Sequence, residues 1–287
     1  MISLERSIHV IGLTTRAKQC GVPKQAFKQL LSAGALSFLL ATPALAGCPA
    51  DSVQVGPICM DKYEASVWSI PANKTSLLNK VRNGTATLAN LTGTAGVMQL
   101  GLGLTDDYPC DDDGNDCTDV IYAVSIPGVK PSGTITWFQA QQACENAGKR
   151  LPRNGEWQQA AAGTPDPGTD NDSTDCNTSF DGFPANDPVN TGSRVDCVSN
   201  RGVFDMVGNT AEWVEDWVTL ATTCADEMFN GTSDTNCLVG ADPFSGPAAM
   251  IRGGAFSGAA TKAGVFYLNG LNEPWNFSAS LGFRCAR

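Results

Sequence analysis

Cysteine usage constrains this chain more than any other feature. Of eleven cysteines in 287 residues, all but Cys20 follow residue 46: Cys48, Cys59, Cys110, Cys117, Cys144, Cys176, Cys197, Cys224, Cys237 and Cys285. An even set of ten reads as a disulfide framework formed in an oxidising compartment. Spacing groups Cys48 with Cys59, Cys110 with Cys117, Cys176 with Cys197 and Cys224 with Cys237. That leaves Cys144 to meet Cys285 across the domain, although spacing leaves other connectivities open. Each such bridge is worth roughly 2–4 kcal/mol, most where the closed loop is long.

The segment before this framework has the character of an export signal. Residues 30–46 are an apolar run preceded by Lys24 and Lys28 and ended by Ala44-Leu45-Ala46, the small-x-small pattern of a secretory cleavage site. A membrane anchor is the competing reading; Pro43 and a length below the roughly 20 residues needed to span argue against it. The expectation is an exported protein, periplasmic, cell-surface or secreted, with residues 1–46 as the signal peptide. Leu45-Ala46-Gly47-Cys48 also fits a lipoprotein site, and only in that alternative, with Cys48 lipidated, does a membrane enter. Lipidation would leave an odd number of cysteines, whereas pairing Cys48 with Cys59 leaves none over.

Charge and histidine content then exclude whole classes of function. The formal charge is −10; losing residues 1–46 removes five of 19 basic and one of 29 acidic residues, leaving 14 against 28. A net charge of −14 is the wrong sign for gripping nucleic acid through phosphates. The single histidine, His9, lies in the signal segment, so the exported part has no imidazole for a Ser-His-Asp or Cys-His arrangement.

Residues 48–287 read as one unit, without internal repeats or a long linker. Helical patterns are few. Thr136 caps a helix carrying Trp137, Ala140, Cys144 and Ala147 up to Gly148, and Asn154 caps a second carrying Trp157, Ala160 and Ala161. Val53–Val55, Val120–Val124 and Ala263–Leu268 read as strands among long ordered loops. Residues 69–133 read as a polar insertion. Within it, Asp111, Asp113, Asn115 and Asp116 on the turn between Cys110 and Cys117 offer hard oxygen ligands, but without the twelve-residue calcium-loop spacing they read as a solvated acidic turn.

Several motifs in series carry a family resemblance: Tyr63-Glu64, Gly148-Lys149-Arg150-Leu151-Pro152, Glu156-Trp157, Asp205-Met206-Val207-Gly208-Asn209-Thr210-Ala211-Glu212-Trp213, Arg252-Gly253-Gly254 and Gly282-Phe283-Arg284-Cys285. In this order they resemble the sulfatase-modifying factor family, which includes formylglycine-generating enzyme. The resemblance implies an α+β, C-type-lectin-like fold, loop-rich and disulfide-stapled. It also implies structural calcium, held by Glu64, Asp205 and Glu212 with the carbonyls of Gly208 and Thr210. A second implied calcium site comprises Asn177, Asp181 and the carbonyls of Thr178 and Phe183. Without the resemblance, Met206, Trp213 and Trp217 read equally well as core and the acids as surface.

The oxidative chemistry of that family is a different matter. Its copper is held by two cysteines after the Arg-Gly-Gly motif, and those positions here fall approximately on Gly258 and Ala263, neither of which can ligate metal. Relatives that use iron bind it through histidines. The expectation is therefore a non-catalytic domain with no catalytic residues assigned; the alternative is a formylglycine-generating-type oxidoreductase acting on protein cysteine through another metal site.

Residues 252–287 also resemble the variable region of proteins diversified by retroelements, which share the lectin-like fold. Gly253, Gly254, Gly264, Val265, Phe266, Leu268 and Gly282 would form a fixed frame. Between them Ser257, Gly258, Thr261, Lys262, Tyr267, Glu273, Trp275 and Phe277 form a candidate ligand-binding set for a protein or a glycan. Trp275 and Phe277, two apart among polar neighbours, suit a loop presenting aromatic anchors.

Overall fold

The computed structural model describes residues 47–117, 120–166, 170–180, 183–184, 187–219, 227–228, 235–237, 247–258 and 262–287. The described part begins with a hairpin of β1 (Ser52–Val55) and β2 (Ile58–Asp61), then β3 (Ser66–Ser69). Two helices follow, α1 (Thr75–Arg82) and α2 (Leu88–Thr92), before β4 (Met98–Leu100) and β5 (Ile121–Val124) flank β3 in an antiparallel sheet. Next come α3 (Trp137–Asn146), α4 (Asn154–Ala161) and a small ribbon of β6 (Ser179–Phe180) and β7 (Phe183–Pro184).

The main sheet is built last. Its strands are β8 (Ala211–Val218), β9 (Glu227–Met228), β10 (Thr235–Cys237), β11 (Ala248–Gly254), β12 (Ala263–Asn272) and β13 (Leu281–Phe283), in the order β13-β8-β11-β12-β10-β9. β8, β11 and β12 run antiparallel to their neighbours in the middle, while β13 adds parallel to β8 and β10 parallel to β12. Because side chains alternate along a strand, the sheet separates two cores. Trp213, Ile251, Tyr267 and Phe283 pack with Ala140, Ala143 and Cys144 of α3. Val214, Met250 and Leu268 pack with Trp157, Ala160 and Ala161 of α4 and with Val55 and Met60 of the first hairpin.

Four expected disulfides are present: Cys48–Cys59, Cys110–Cys117, Cys176–Cys197 and Cys144–Cys285, the last joining residues 141 apart in sequence. Cys224, and with it the fifth expected pair, lies outside the described residues. The α+β, loop-rich, disulfide-stapled architecture is thus the one expected. Three strands begin close to where the sequence pattern puts them, although β12 runs on to Asn272.

Two local expectations need correction. Thr136 does cap α3, its hydroxyl accepting from the Gln139 amide while the Gln139 side chain returns to the Thr136 amide. Asn154, however, is the first residue of α4 and not its cap; the Glu156 carboxylate folds back onto the Arg153 amide at 2.8 Å. The insertion is also more ordered than its polar composition suggests. Leu77, Leu78 and Val81 of α1 and Leu91 of α2 bury against Trp68, Tyr122 and Val124 of the three-stranded sheet and Ile70 just after β3. Their spacing is helical, but Asn, Thr and Lys around them mask it.

Candidate functional site

The long Asp205–Trp213 motif makes a turn that enters β8. Asp205, Gly208 and Asn209 all have positive φ. At Gly208 a Cβ would lie 2.2 Å from the Asn177 carbonyl oxygen, so only glycine lets the two loops touch. β13 pairs in parallel with β8, setting Gly282 beside Glu212 and so bringing Arg284 into reach.

Glu64, Asp205 and Glu212 do come together, all buried. Each, however, is engaged by protein donors. Arg284, fully buried, grips Glu212 from Nε at 2.9 and 2.8 Å and from Nη2 at 2.6 Å, and the Trp157 indole donates to the same carboxylate at 2.7 Å. Glu64 accepts from the Thr210 amide at 2.9 Å, the Thr210 hydroxyl at 2.5 Å and the Asn209 side-chain amide. Asp205 accepts from the Gly192 amide at 2.7 Å. Arg284 also reaches the Phe204 carbonyl at 2.9 Å.

This donor set does not fit a calcium cage at Glu64, Asp205, Glu212, Gly208 and Thr210. Calcium needs free carboxylate oxygens converging on one point, whereas Glu212 is spent on a guanidinium and an indole. Among the described residues no group of three or more acidic, cysteine or histidine side chains is arranged to hold a metal. The positive charge here belongs to Arg284. Burial, then repulsion from Asp205 and Glu212, pushes the Glu64 carboxyl well above the ordinary carboxylate range, with Arg284 opposing. Burial likewise raises Asp205 to about 6, against the Gly192 amide and Arg284.

The second implied calcium site is differently furnished. Asn177 donates its side-chain N–H to Asn209 Oδ1 at 3.0 Å, and the Asn209 amide donates to the Asn177 carbonyl at 2.7 Å. Yet Asn177 Oδ1 and Thr178 Oγ1 are buried without a hydrogen-bond partner. Such orphaned oxygens are what a hard cation would satisfy. The β6–β7 ribbon carries the Phe183 backbone back alongside this segment; Asp181 lies outside the described residues.

A second buried ion cluster ties the Lys149 motif to the first hairpin. Lys149 Nζ lies 2.7 Å from both Asp51 and Asp61. Burial lifts Asp61 to about 6 despite that lysine.

The positions matching the family's copper ligands hold no thiol. Gly258 is buried, and Ala263 packs in a small cluster with Val207 and the Cys176–Cys197 bridge. These residues do not fit copper.

The candidate ligand face divides. Ser257 and Lys262 are exposed and Glu273 is half-buried, Gly258 is a correction, being buried against the Lys262 and Ala255 carbonyls, and Thr261 lies outside the described residues. Trp275 and Phe277 stand out at 48% and 38% exposure. Tyr267 is a correction: at 9% exposure it belongs to the core beside Trp213 and Phe283, because it falls on the α3 side of β12. Trp217 corrects in the opposite direction. Near the end of β8 it is 41% exposed, packed edge-on to Trp137 at 5.2 Å. The Trp137 amide in turn donates to the Pro274 carbonyl, so this aromatic group adjoins the loop carrying Trp275. Strand alternation puts Trp217 on the same side of β8 as buried Trp213, so no local pattern marked it as exposed.

Comparison with known proteins adds the following. The model of the sulfatase-modifying factor enzyme 1-like domain matches residues 108–287. Formylglycine-generating enzyme of Mus musculus is 26% identical over 178 residues, which span 53% of this chain and 42% of that protein. Serine/threonine-protein kinase Pkn1 of Chlamydia trachomatis is 27% identical over 158 residues, 53% of this chain and 23% of the kinase. The chain thus spans well under two thirds of either relative. Among solved structures, a Major Tropism Determinant P3c variant superposes with a TM-score of 0.43 and 16% identity over 83% of this chain and 54% of that one.

Proposed function

Because this chain belongs to the sulfatase-modifying factor enzyme 1-like domain family, we propose that it is an exported, non-catalytic member that uses the family scaffold to bind a protein or glycan ligand. The supporting observation is the contrast within its last 25 residues. Gly264, Leu268 and Gly282 of the expected frame are buried and Val265 and Phe266 half-buried, while Trp275, Asn276, Phe277 and Ser278 between Leu268 and Gly282 are exposed. Large aromatic rings on a braced loop are the type of side chain that dominates binding energies. The absence of thiol at Gly258 and Ala263 supports a scaffold without copper chemistry.

Calcium enters this reading at Asn177 and Thr178, whose buried oxygens lack donors. Calcium then raises the melting temperature of the parent protein and not of Asn177→Ala; unchanged melting on chelation overturns it. Export without a lipid is supported by Cys48, whose sulfur is bonded to Cys59. The intact mass of material from cells distinguishes this from the lipoprotein.

The test of binding is a glycan array and a peptide library probed with parent and with Trp275→Ala/Phe277→Ala. Loss of captured ligand in the double variant, with melting unchanged, is expected. Oxygen-dependent turnover of a cysteine peptide with stoichiometric copper would overturn the non-catalytic reading in favour of a formylglycine-generating-type oxidoreductase. A near-copy of the final coding segment, differing at adenines and beside a reverse transcriptase gene, would mark the face as diversified.

A further inference from the structure

A loop outside the family-matched segment shares its supports with the C-terminal loop. Leu102 and Leu104 are 57% and 85% exposed, on a loop that is firmly held. The Gly101 amide donates to Asp107 at 2.7 Å, the Gly133 amide to the Gly101 carbonyl at 2.9 Å, and the Thr134 hydroxyl to the Gly103 carbonyl at 2.7 Å. Gly101 has φ +71, and a Cβ there would sit 2.0 Å from the Tyr108 hydroxyl, so the turn requires glycine. The leucines are therefore presented outward by a braced backbone.

The same Gly133-Thr134 pair braces the other loop. The Thr134 amide donates to the Ser278 carbonyl at 2.8 Å, and Gly133 abuts the Ala279 carbonyl closely enough that a Cβ would lie 2.7 Å from it. Between the two loops opens a cleft of about 290 Å³ lined by Leu102, Leu104, Pro131, Asp187, Pro188 and Ala279. Its volume suits one or two side chains, not a helix or a saccharide chain. Its wall combines the apolar side chains of Leu102, Leu104, Pro131, Pro188 and Ala279 with nearly as much polar surface, from backbone and from Asp187 and Lys130. Lys130 lines the cleft as well, its ammonium donating to the Pro188 carbonyl, so the negative charge that a cationic partner would meet is that of Asp187 with Asp106 and Asp107 beyond it.

The surroundings are acidic. Asp187 lines the cleft and Asp107 holds its wall. Asp106 bonds Gln139 at 2.9 Å, at the head of the helix that follows Thr134. Burial, then Asp106, Asp111 and Asp113, raises the Asp112 carboxyl above its ordinary value, a sign of crowded negative charge. A second copy of this acidic chain would be repelled here, and a cation would be drawn in.

We propose that this cleft is a socket for a polypeptide partner that inserts an apolar side chain flanked by lysine or arginine. The inference rests on the binding reading above and adds Leu102 and Leu104 as specificity determinants. A random dodecapeptide phage library is selected on the protein purified after expression of its full coding sequence. Enriched peptides are synthesised, and their affinities measured on parent, Leu102→Ser/Leu104→Ser and Trp275→Ala/Phe277→Ala. Expected are peptides sharing an apolar residue next to Lys or Arg, at least tenfold weaker on the leucine double variant and several-fold weaker at high salt, with its melting temperature unchanged. Peptides indifferent to the leucine pair but lost with the aromatic pair overturn the socket and leave the C-terminal binding reading standing. Binding to glycans alone, or no enrichment, also overturns the socket.

Discussion

Two regions of this domain treat polarity in opposite ways. Around Glu64, Glu212 and Arg284, charged groups go inside, and each finds a partner within hydrogen-bond distance. Around residues 101–104 and 275–279, apolar groups go outside on backbone that is itself well bonded. The first arrangement is stabilised by completeness, since a buried charge is tolerated only with its counter-charge. The second leaves apolar side chains exposed among the described residues, and exposed apolar surface of this kind marks interaction. One region therefore holds the scaffold together and the other faces outward from it.

Breaking the inner region is expected to have the largest effect. Arg284→Met strands Glu212 in the core and is expected to cost about 3–5 kcal/mol, read from the urea midpoint. Pairing it with Glu212→Gln, which keeps an acceptor for the Trp157 indole, is expected to recover part of that loss. Replacing Cys144 and Cys285 by serine opens the longest covalent loop and is expected to remove about 2–5 kcal/mol.

A pH titration sharpens the same comparison. The folded-state pKa of Asp61, about 6, lies above the ordinary aspartate value of 3.8 because the carboxyl is buried. Its contribution is thus fully present below the unfolded value and is lost as pH rises through about 6. The loss is about 3 kcal/mol between acidic and neutral pH, and Asp61→Asn is expected to flatten that part of the stability profile. Smallest of all, Trp275→Ala and Phe277→Ala are expected to change stability by no more than about 0.5 kcal/mol. A larger loss in thermal or urea unfolding would move those rings from the binding face into the core.

Much of the frame was legible beforehand. Short cysteine spacings anticipated the local bridges, because nearby thiols on turns meet with little loop to close. The Thr136 cap with Gln139 three residues on is a local hydrogen-bond pattern, and local patterns survive translation into structure. α1 and α2 were missed because their few apolar residues gain meaning only against Trp68 and Tyr122, distant in sequence. Tyr267 and Trp217 exchanged roles for a related reason. Both lie on strands, and whether such a side is covered depends on where α3 ends above the sheet.

The acidic cluster shows the division of labour most clearly. The family resemblance of the motifs implied that Glu64, Asp205 and Glu212 would converge, and cysteine parity and charge pointed to a stapled, acidic domain. Only the parallel pairing of β13 with β8 decided that Arg284 would reach Glu212 first. Likewise, only the shared support of Gly133 and Thr134 decided that Leu102 and Leu104 would stand beside Ala279 of the C-terminal loop. The physical reason is range: capping, turn preference and covalent bridging act over a few residues or through bonds, whereas desolvation and charge pairing depend on which distant segments exclude water together.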